Sequence, residues 1–307
     1  MRRAAVIACF AALAAGGCGF GAGEETGGPI TVTVSQGFGE DKVAPPREET
    51  ARGGETVMRL LQRSFDVGTR FGGNFVQEIE GISGGREGGR RVDWFYYVNG
   101  IEASEGAAER RLYPGDRVWF DHHDWEEAMR IPAVVGAFPE PFKSGVGGKK
   151  LPIRLVCLGP EGRSCDEVQT RLKAAGVRNI ARSNLESSPG EVLRILVGRW
   201  RDVRKDITAR QLEEGPSASG VFARPAASGD RIALIGADGG SERTLGPASG
   251  LVAATSYEEQ RPTWLVTGTD DVGVAAAAAA LTEDQLRDHF ALAIEAGRGV
   301  PLPLEGP

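Results

Sequence analysis

The chain has 307 residues, 41% hydrophobic and 25% charged, a composition that suits a globular protein with a real core and room for two domains. Its formal net charge is −6, and removing residues 1–17, which carry Arg2 and Arg3 but no acids, leaves −6 − 2 = −8. Such a chain has no broad positive field for phosphates or anionic lipid, so a nucleic-acid partner is excluded.

Met1-Arg2-Arg3 is a basic start, and Ala4 to Ala15 is an apolar stretch too short to cross a bilayer of about 30 Å as a helix. Small residues follow, then Cys18, which is the order of a secretory signal peptide over residues 1–17. The ending Leu13-Ala-Ala-Gly-Gly-Cys18 resembles a bacterial lipobox, with Ala15 as a departure. The resemblance implies that Cys18 becomes the N-terminus and carries a diacylglyceryl group. The protein would then be extracytoplasmic, anchored to the cell membrane by acyl chains on Cys18. The alternative is an ordinary signal peptide cut elsewhere, with Cys18 incidental. The Gly/Glu-rich residues 18–28 form a flexible tether.

Residues 29–125 read as a first module. Ile30–Ser35 alternates as a strand. Ser35–Arg52, with Pro45-Pro46, reads as a polar loop. Glu55–Val67 carries Val57, Met58, Leu60, Leu61 and Phe65 at helical spacing. Phe75–Ile82 and Asp93–Val98 are strands. Asn99-Gly100 is a two-residue hairpin turn, because both of its central positions need positive φ. Leu112-Tyr-Pro-Gly-Asp116 is a second tight turn, and Arg117–Asp121 leaves it as another strand.

The run Trp94-Phe-Tyr-Tyr-Val-Asn-Gly100, then Gly106, then Leu112-Tyr-Pro-Gly-Asp-Arg-Val-Trp119, resembles the C-terminal domain of transcobalamin and intrinsic factor and the uncharacterised bacterial domains that share its pattern. The resemblance covers about a third of the chain. It implies an α+β module, a β-grasp-like sheet with one helix across it, and cobalamin as a possible ligand. The helical barrel that completes the cobalamin shell in the vertebrate carriers has no counterpart in this sequence.

Alternation along the strands puts Trp94 and Tyr96 on one face and Phe95 and Tyr97 on the other. The aromatic residues Trp94, Tyr96, Tyr97, Trp119 and Trp125 are candidate ligand contacts, the alternative being core or interdomain packing. Asp121-His-His-Asp124 reads as a solvated strand end whose imidazoles meet nearby carboxylates. At most two of its side chains could converge on one metal, so no metal site is expected. Gly81-Ile-Ser-Gly-Gly85 has the spacing of a hydrolase nucleophile motif but lacks the helix that chemistry needs after the serine.

Residues 126–150 form a connector, apolar with Pro132, Pro139 and Pro141, ending in a Gly/Lys stretch. Residues 151–307 read as an α/β layered module. Its strands are Pro152–Leu158, Val192–Val197 and Thr263–Thr267, with a hairpin from Val221–Arg224 and Arg231–Ile235. Helices are expected over Cys165–Ala175, Asp202–Leu212, Gly250–Tyr257, Val272–Leu281 and, from the capping box Thr282–Gln285, on to Ala296. Asp270 and Asp271, between a strand's C-terminal end and a helix, are further candidate ligand contacts. Gly236–Gly240 reads as a turn rather than a phosphate cradle.

Cys9 leaves with the signal peptide. Cys157 and Cys165, eight positions apart, read as a disulfide in an oxidising envelope. With no catalytic constellation and no cofactor expected, the leading reading is a non-catalytic envelope lipoprotein that binds a small molecule, an envelope protein or a glycan. The alternatives are a structural or adhesive module and, third, a hydrolase whose site in the second module uses Asp270, Asp271 or His289.

Overall fold

The computed structural model describes residues 25–159, 162–185, 191–240 and 242–305, so the signal segment and Cys18 lie outside the described residues. The structure is mixed, with more strand than helix and several sheets. The first sheet begins with a hairpin of β1 (Glu25–Gln36) and β2 (Asp41–Arg52). The stretch expected to be a polar loop is therefore largely strand. It reads as polar because β2 is an edge strand facing solvent. Its two prolines are tolerated because the register steps from Val32↔Arg47 to Val34↔Ala44 and bulges them out of the ladder.

Helix α1 (Val57–Ser64) is shorter than its apolar stripe suggested. The Thr56 hydroxyl accepts the Arg59 N–H at 3.4 Å, and Val57, Met58, Leu60 and Leu61 are buried. A small side sheet follows, of β3 (Val67–Arg70), β4 (Phe75–Ile79) and β5 (Ile82–Ser83). The expected strand Phe75–Ile82 is thus broken by a turn at Glu80-Gly81, both with positive φ. Then come β6 (Gly85–Glu87), β7 (Arg90–Val98), β8 (Ile101–Glu102) and β9 (Arg117–Asp124). The order is β2-β1-β9-β7-β6, with β8 also on β7. β1 and β9 are parallel and the other pairs antiparallel. Asn99 and Gly100 turn the chain at φ 56° and 73°. The buried Asn99 amide donates to Asp116 Oδ1 at 2.8 Å and to the Gly145 carbonyl at 2.9 Å, which fixes the second tight turn beside the first.

No helix or strand spans residues 125–152, yet this connector is not loose. Ile131 and Val134 enter one core, and Val135, Phe138 and Phe142 enter another.

Beyond it come β10 (Ile153–Cys157), α2 (Arg163–Ala174), β11 (Ile180–Ser183) and β12 (Leu193–Arg199). The helix expected over Asp202–Leu212 is broken into α3 (Trp200–Val203), α4 (Ile207–Arg210) and a 3-10 turn. Asp206 starts α4 afresh by accepting the Thr208 N–H at 2.9 Å. Next are α5 (Pro216–Ser219), the expected hairpin as β13 (Ala223–Pro225) and β14 (Ile232–Ile235), and β15 (Glu242–Leu245).

Gly250–Tyr257, expected as a helix, contains instead β16 (Gly250–Thr255), every residue buried. Periodicity cannot separate a short wholly buried strand from a buried helix. After β17 (Thr263–Gly268) and α6 (Asp271–Ala279), the Thr282 capping box starts only α7 (Glu283–Leu286). The chain breaks at Asp288, φ 63°, and forms β18 (Ala291–Glu295) and β19 (Arg298–Leu302), so the long last helix does not form. The sheet order is β11-β10-β12-β17-β16-β18-β19, parallel over its first four strands and antiparallel beyond.

The alanine-rich α6 lies close on this sheet. A Cβ on Gly268 would come within 2.5 Å of the Val274 nitrogen, and one on Gly273 would fall on the Ser249 carbonyl oxygen. The helical face of the sheet encloses one core with Val168, Leu172, Trp264 and Ala277. Another core joins the two sheets: Phe38, Tyr97 and Trp119 of the first pack with Trp200, Phe222 and Phe290 of the second region. The far face of the first sheet holds a third core under α1, with Trp94 and Phe120.

Candidate functional site

β7 pairs with β9 from Val92 to Val98, but its other edge is covered only at the ends, by β6 at Arg90–Val92 and by β8 at Tyr97-Val98 with the Ala103 N–H on the Tyr96 carbonyl. Between these arms the stretch Asp93–Phe95 opens into a groove of about 440 Å³. It is lined by Asn74–Val76, Asp93–Tyr96, Glu102 with Ala103, Glu105–Ala107, and Trp125 with Met129; Phe120 contributes from β9. Phe75 and Met129 are exposed at its margin, and exposed Phe71 meets Phe75 edge to face at 6.2 Å.

The groove's aromatic side chains are held in place. The Trp94 indole donates to the Ile82 carbonyl at 2.9 Å. The Tyr96 ring stacks on Phe120 at 5.1 Å, and its hydroxyl donates to the Glu105 carbonyl at 2.6 Å. Burial pushes the Tyr96 phenol up beyond its usual range, so it stays a neutral donor. Arg91 lies 4.0 Å over the Trp125 ring. Two carboxylates at the groove, Asp93 and Glu102, are held above the usual carboxylate range, in both cases chiefly by burial. The lining contains no Ser, Thr, Cys, His or Lys. An apolar concavity with a few fixed polar groups can bind a ligand.

Residues 54–124 match DUF4430, a domain of unknown function. That span runs from just before α1 to the end of β9 and includes all of β7. Among solved structures, a Ruminococcus gnavus protein described as a "putative metal binding protein" is 16% identical, with a TM-score of 0.26 over 32% of this chain and 98% of its own. No curated protein matches the chain.

The structure divides the aromatic candidates. Trp94, Tyr96 and Trp125 line the groove. Tyr97 and Trp119 do not: both are buried between the sheets, where each meets Phe290 edge to face, at 5.6 and 5.1 Å. Their role is packing, the alternative the alternation pattern left open. Sequence reading missed Phe75, Asp93, Glu102 and Met129, which come from different strands and a loop with no shared periodicity.

Asp270 and Asp271 are not among the residues that line the groove. Asp270 caps α6, accepting the Gly273 N–H at 2.9 Å, and also holds the Ala248 N–H at 2.8 Å. Asp271 forms a two-point ion pair with Arg199. The crevice at the C-terminal ends of β10 and β12, lined also by Asp271, is closed down to about 20 Å³, room for one water at most. Its walls include Cys157 and Cys165, which are joined in a disulfide with Cα atoms 5.9 Å apart.

The Asp121–Asp124 segment is not a solvated strand end. Asp121, His122 and His123 are all buried. His123 is sandwiched between Phe38 and Phe95, each ring 4.5 Å away, and its Nδ1 lies 2.8 Å from Asp121 Oδ1. The other imidazole, His122, packs on Trp94 at 5.1 Å and leaves Nε2 without a partner; burial lowers its pKa. The reading fails because Phe38 from the β1–β2 turn and Phe290 pack onto this end of the sheet, which strand alternation cannot foretell. All three histidines border a polar cleft of about 620 Å³ between the β1–β2 turn, Arg287–His289 and Pro301–Glu305. Among the described residues no group of three or more His, Cys, Asp or Glu is placed to hold a metal ion. Ser83 bonds Glu78 and leads into β6 rather than a helix. Gly236–Gly240 is a turn, closed by the Gly239 N–H on the Gly236 carbonyl at 3.0 Å.

Proposed function

We propose that this protein is a non-catalytic lipoprotein of the bacterial cell envelope, anchored through Cys18, that captures a ligand in the groove at the open edge of β7. One observation carries the reading: the open edge at Asp93–Phe95 floors an aromatic groove of about 440 Å³. Binding pockets for small molecules run from about 300 to 1,000 Å³. Trp94, Tyr96 and Trp125 are the contact residues. The order β2-β1-β9-β7, with β1 parallel to β9 and α1 packed beneath, supports a β-grasp reading of residues 29–125. Residues 151–307 are then a layered α/β module that buttresses the other face of that sheet.

The motif around Trp94–Gly100 and Leu112–Trp119 keeps a cobalamin-like ligand among the candidates. A corrinoid is larger than a drug-sized ligand, so this groove would grip only its edge. Titration of the purified protein with cobalamin, read by calorimetry and visible spectrum, tests this. Saturable binding that Trp125→Ala weakens supports it, and the absence of heat and spectral change removes cobalamin. Labelling cells with a radiolabelled fatty acid tests the anchor. Label on the wild type and none on Cys18→Ser is expected; an unlabelled wild type contradicts it.

A second reading has its own support. Phe71, Phe75 and Met129 are exposed beside the groove, and adjoining apolar side chains of this size mark protein contact sites. An adhesive or structural role would use this margin together with the groove.

A further inference from the structure

We propose that the groove selects an organic cation, a ligand with an apolar body and a protonated or quaternary amine. The inference rests on the groove being a binding site and names its class of ligand.

The charge balance of the lining comes first. Asp93, Glu102 and Glu105 line the groove, and no Lys, Arg or His does. Glu102 and Glu105 are each matched from outside the lining, by Arg130 and Arg110, both at 3.1 Å. Asp93 has no such match. Its Oδ1 accepts the Trp94 N–H at 2.9 Å, and among the described residues it forms no ion pair. Arg70, His122 and His123 act on it only through space. A half-buried carboxylate without a counter-ion has lost water and gained little in return. A ligand cation entering the groove would replace that loss.

The aromatic lining points the same way. The faces of Trp, Tyr and Phe carry negative potential and attract ammonium groups. Trp94, Tyr96 and Trp125 line the same groove as Asp93, and Trp125 already holds one cation on its ring, the Arg91 guanidinium. An anionic ligand would meet three carboxylates, and a neutral one would leave Asp93 unpaired.

The test compares three molecules of one shape: 4-phenylbutylammonium, 4-phenylbutanol and 4-phenylbutanoate. Each is titrated into the purified protein and followed by tryptophan fluorescence and calorimetry. The ammonium compound should bind about tenfold more tightly than the alcohol, with the carboxylate weakest. Asp93→Asn should bring the ammonium compound to within about threefold of the alcohol and leave the alcohol unchanged, with an unchanged urea midpoint as the check on folding. The order of the three in the wild type decides the matter even if that variant does not fold. Equal affinity for ammonium and alcohol would overturn the inference while leaving the groove an apolar site. No binding of any of the three would overturn the groove reading as well.

Discussion

The buried carboxylate of Asp121 accepts the Ser35 hydroxyl at 2.6 Å, across 86 positions of sequence. The same carboxylate takes the backbone N–H groups of Phe38 and Gly39 at 3.0 and 2.8 Å. These bonds hold the β1–β2 turn against β9, at φ values of 62° and 91° for those two residues. The turn in turn delivers the Phe38 ring into the core between the sheets, 5.2 Å from Phe222 and 5.3 Å from Phe290. Asp121 is therefore a structural pin between the two halves. Asp121→Ala, which strands two N–H groups and a hydroxyl, should cost about 3–5 kcal/mol in urea unfolding. Asp121→Asn keeps one acceptor and should cost about half as much. A loss below about 1 kcal/mol for Asp121→Ala would deny the pin its role.

The disulfide between Cys157 and Cys165 ties the end of β10 to the first turn of α2. Closing so short a loop restricts the unfolded chain modestly. The double variant Cys157→Ser with Cys165→Ser should lose about 2–3 kcal/mol of stability without changing ligand affinity at the β7 groove. Thiol titration of the denatured, unreduced protein should find neither cysteine free.

Gly273 sits in the first turn of α6, where an added Cβ would fall on the Ser249 carbonyl oxygen. The start of the helix and the turn before β16 are tied together, since Asp270 accepts from both Gly273 and Ala248. Gly273→Ala should therefore destabilise by about 2–3 kcal/mol, although alanine normally favours a helix. Val272→Ala, one residue earlier and 64% exposed, should be near neutral and controls for helix propensity. Thermal unfolding of both variants checks the contrast.

His122 and His289 are held below the usual histidine range, in both cases first by burial. Glu87 and Asp121 partly offset this at His122, and Asp288 does so at His289, while His123 and Lys42 respectively add to it. A group whose folded pKa lies below its unfolded value contributes stability that is whole above the unfolded value and is lost as pH falls through the folded one. Unfolding free energy should thus decline as pH drops below about 6.5. The buried carboxyls Asp93, Glu102, Asp116 and Glu140, all raised chiefly by burial, act with the opposite sign, adding stability as pH falls through their raised values. Urea midpoints between pH 7.5 and 5.5, compared between wild type and a His122 variant, separate the histidine contribution. His122→Gln should flatten the decline, and an unchanged slope would show that His122 does not carry it.

Local chemistry made some of the fold legible. Asn99-Gly100 demanded a hairpin turn, the spacing of Val57, Leu60 and Leu61 demanded a helix, and Asp270 marked a helix start. Edges and interiors were harder. β2 is polar because solvent covers it, and β16 is uniformly apolar because packing covers it on both sides, so neither shows the alternation of a half-buried strand. The groove was half legible. Its aromatic strand was plain from composition, but which face was core depended on where the second sheet lies. Its walls come from Phe75, Glu102 and Met129, brought together only by tertiary folding.

The most direct test of the groove is to map amide and indole signals of the isotopically labelled protein by NMR during titration with 4-phenylbutanol. The account predicts shifts at the indole N–H groups of Trp94 and Trp125 and at the amides of Phe75, Val76 and Ala103 to Ala107. Shifts confined to Gly37–Lys42 and Arg287–His289, at the polar cleft, or no shifts at all, would contradict it.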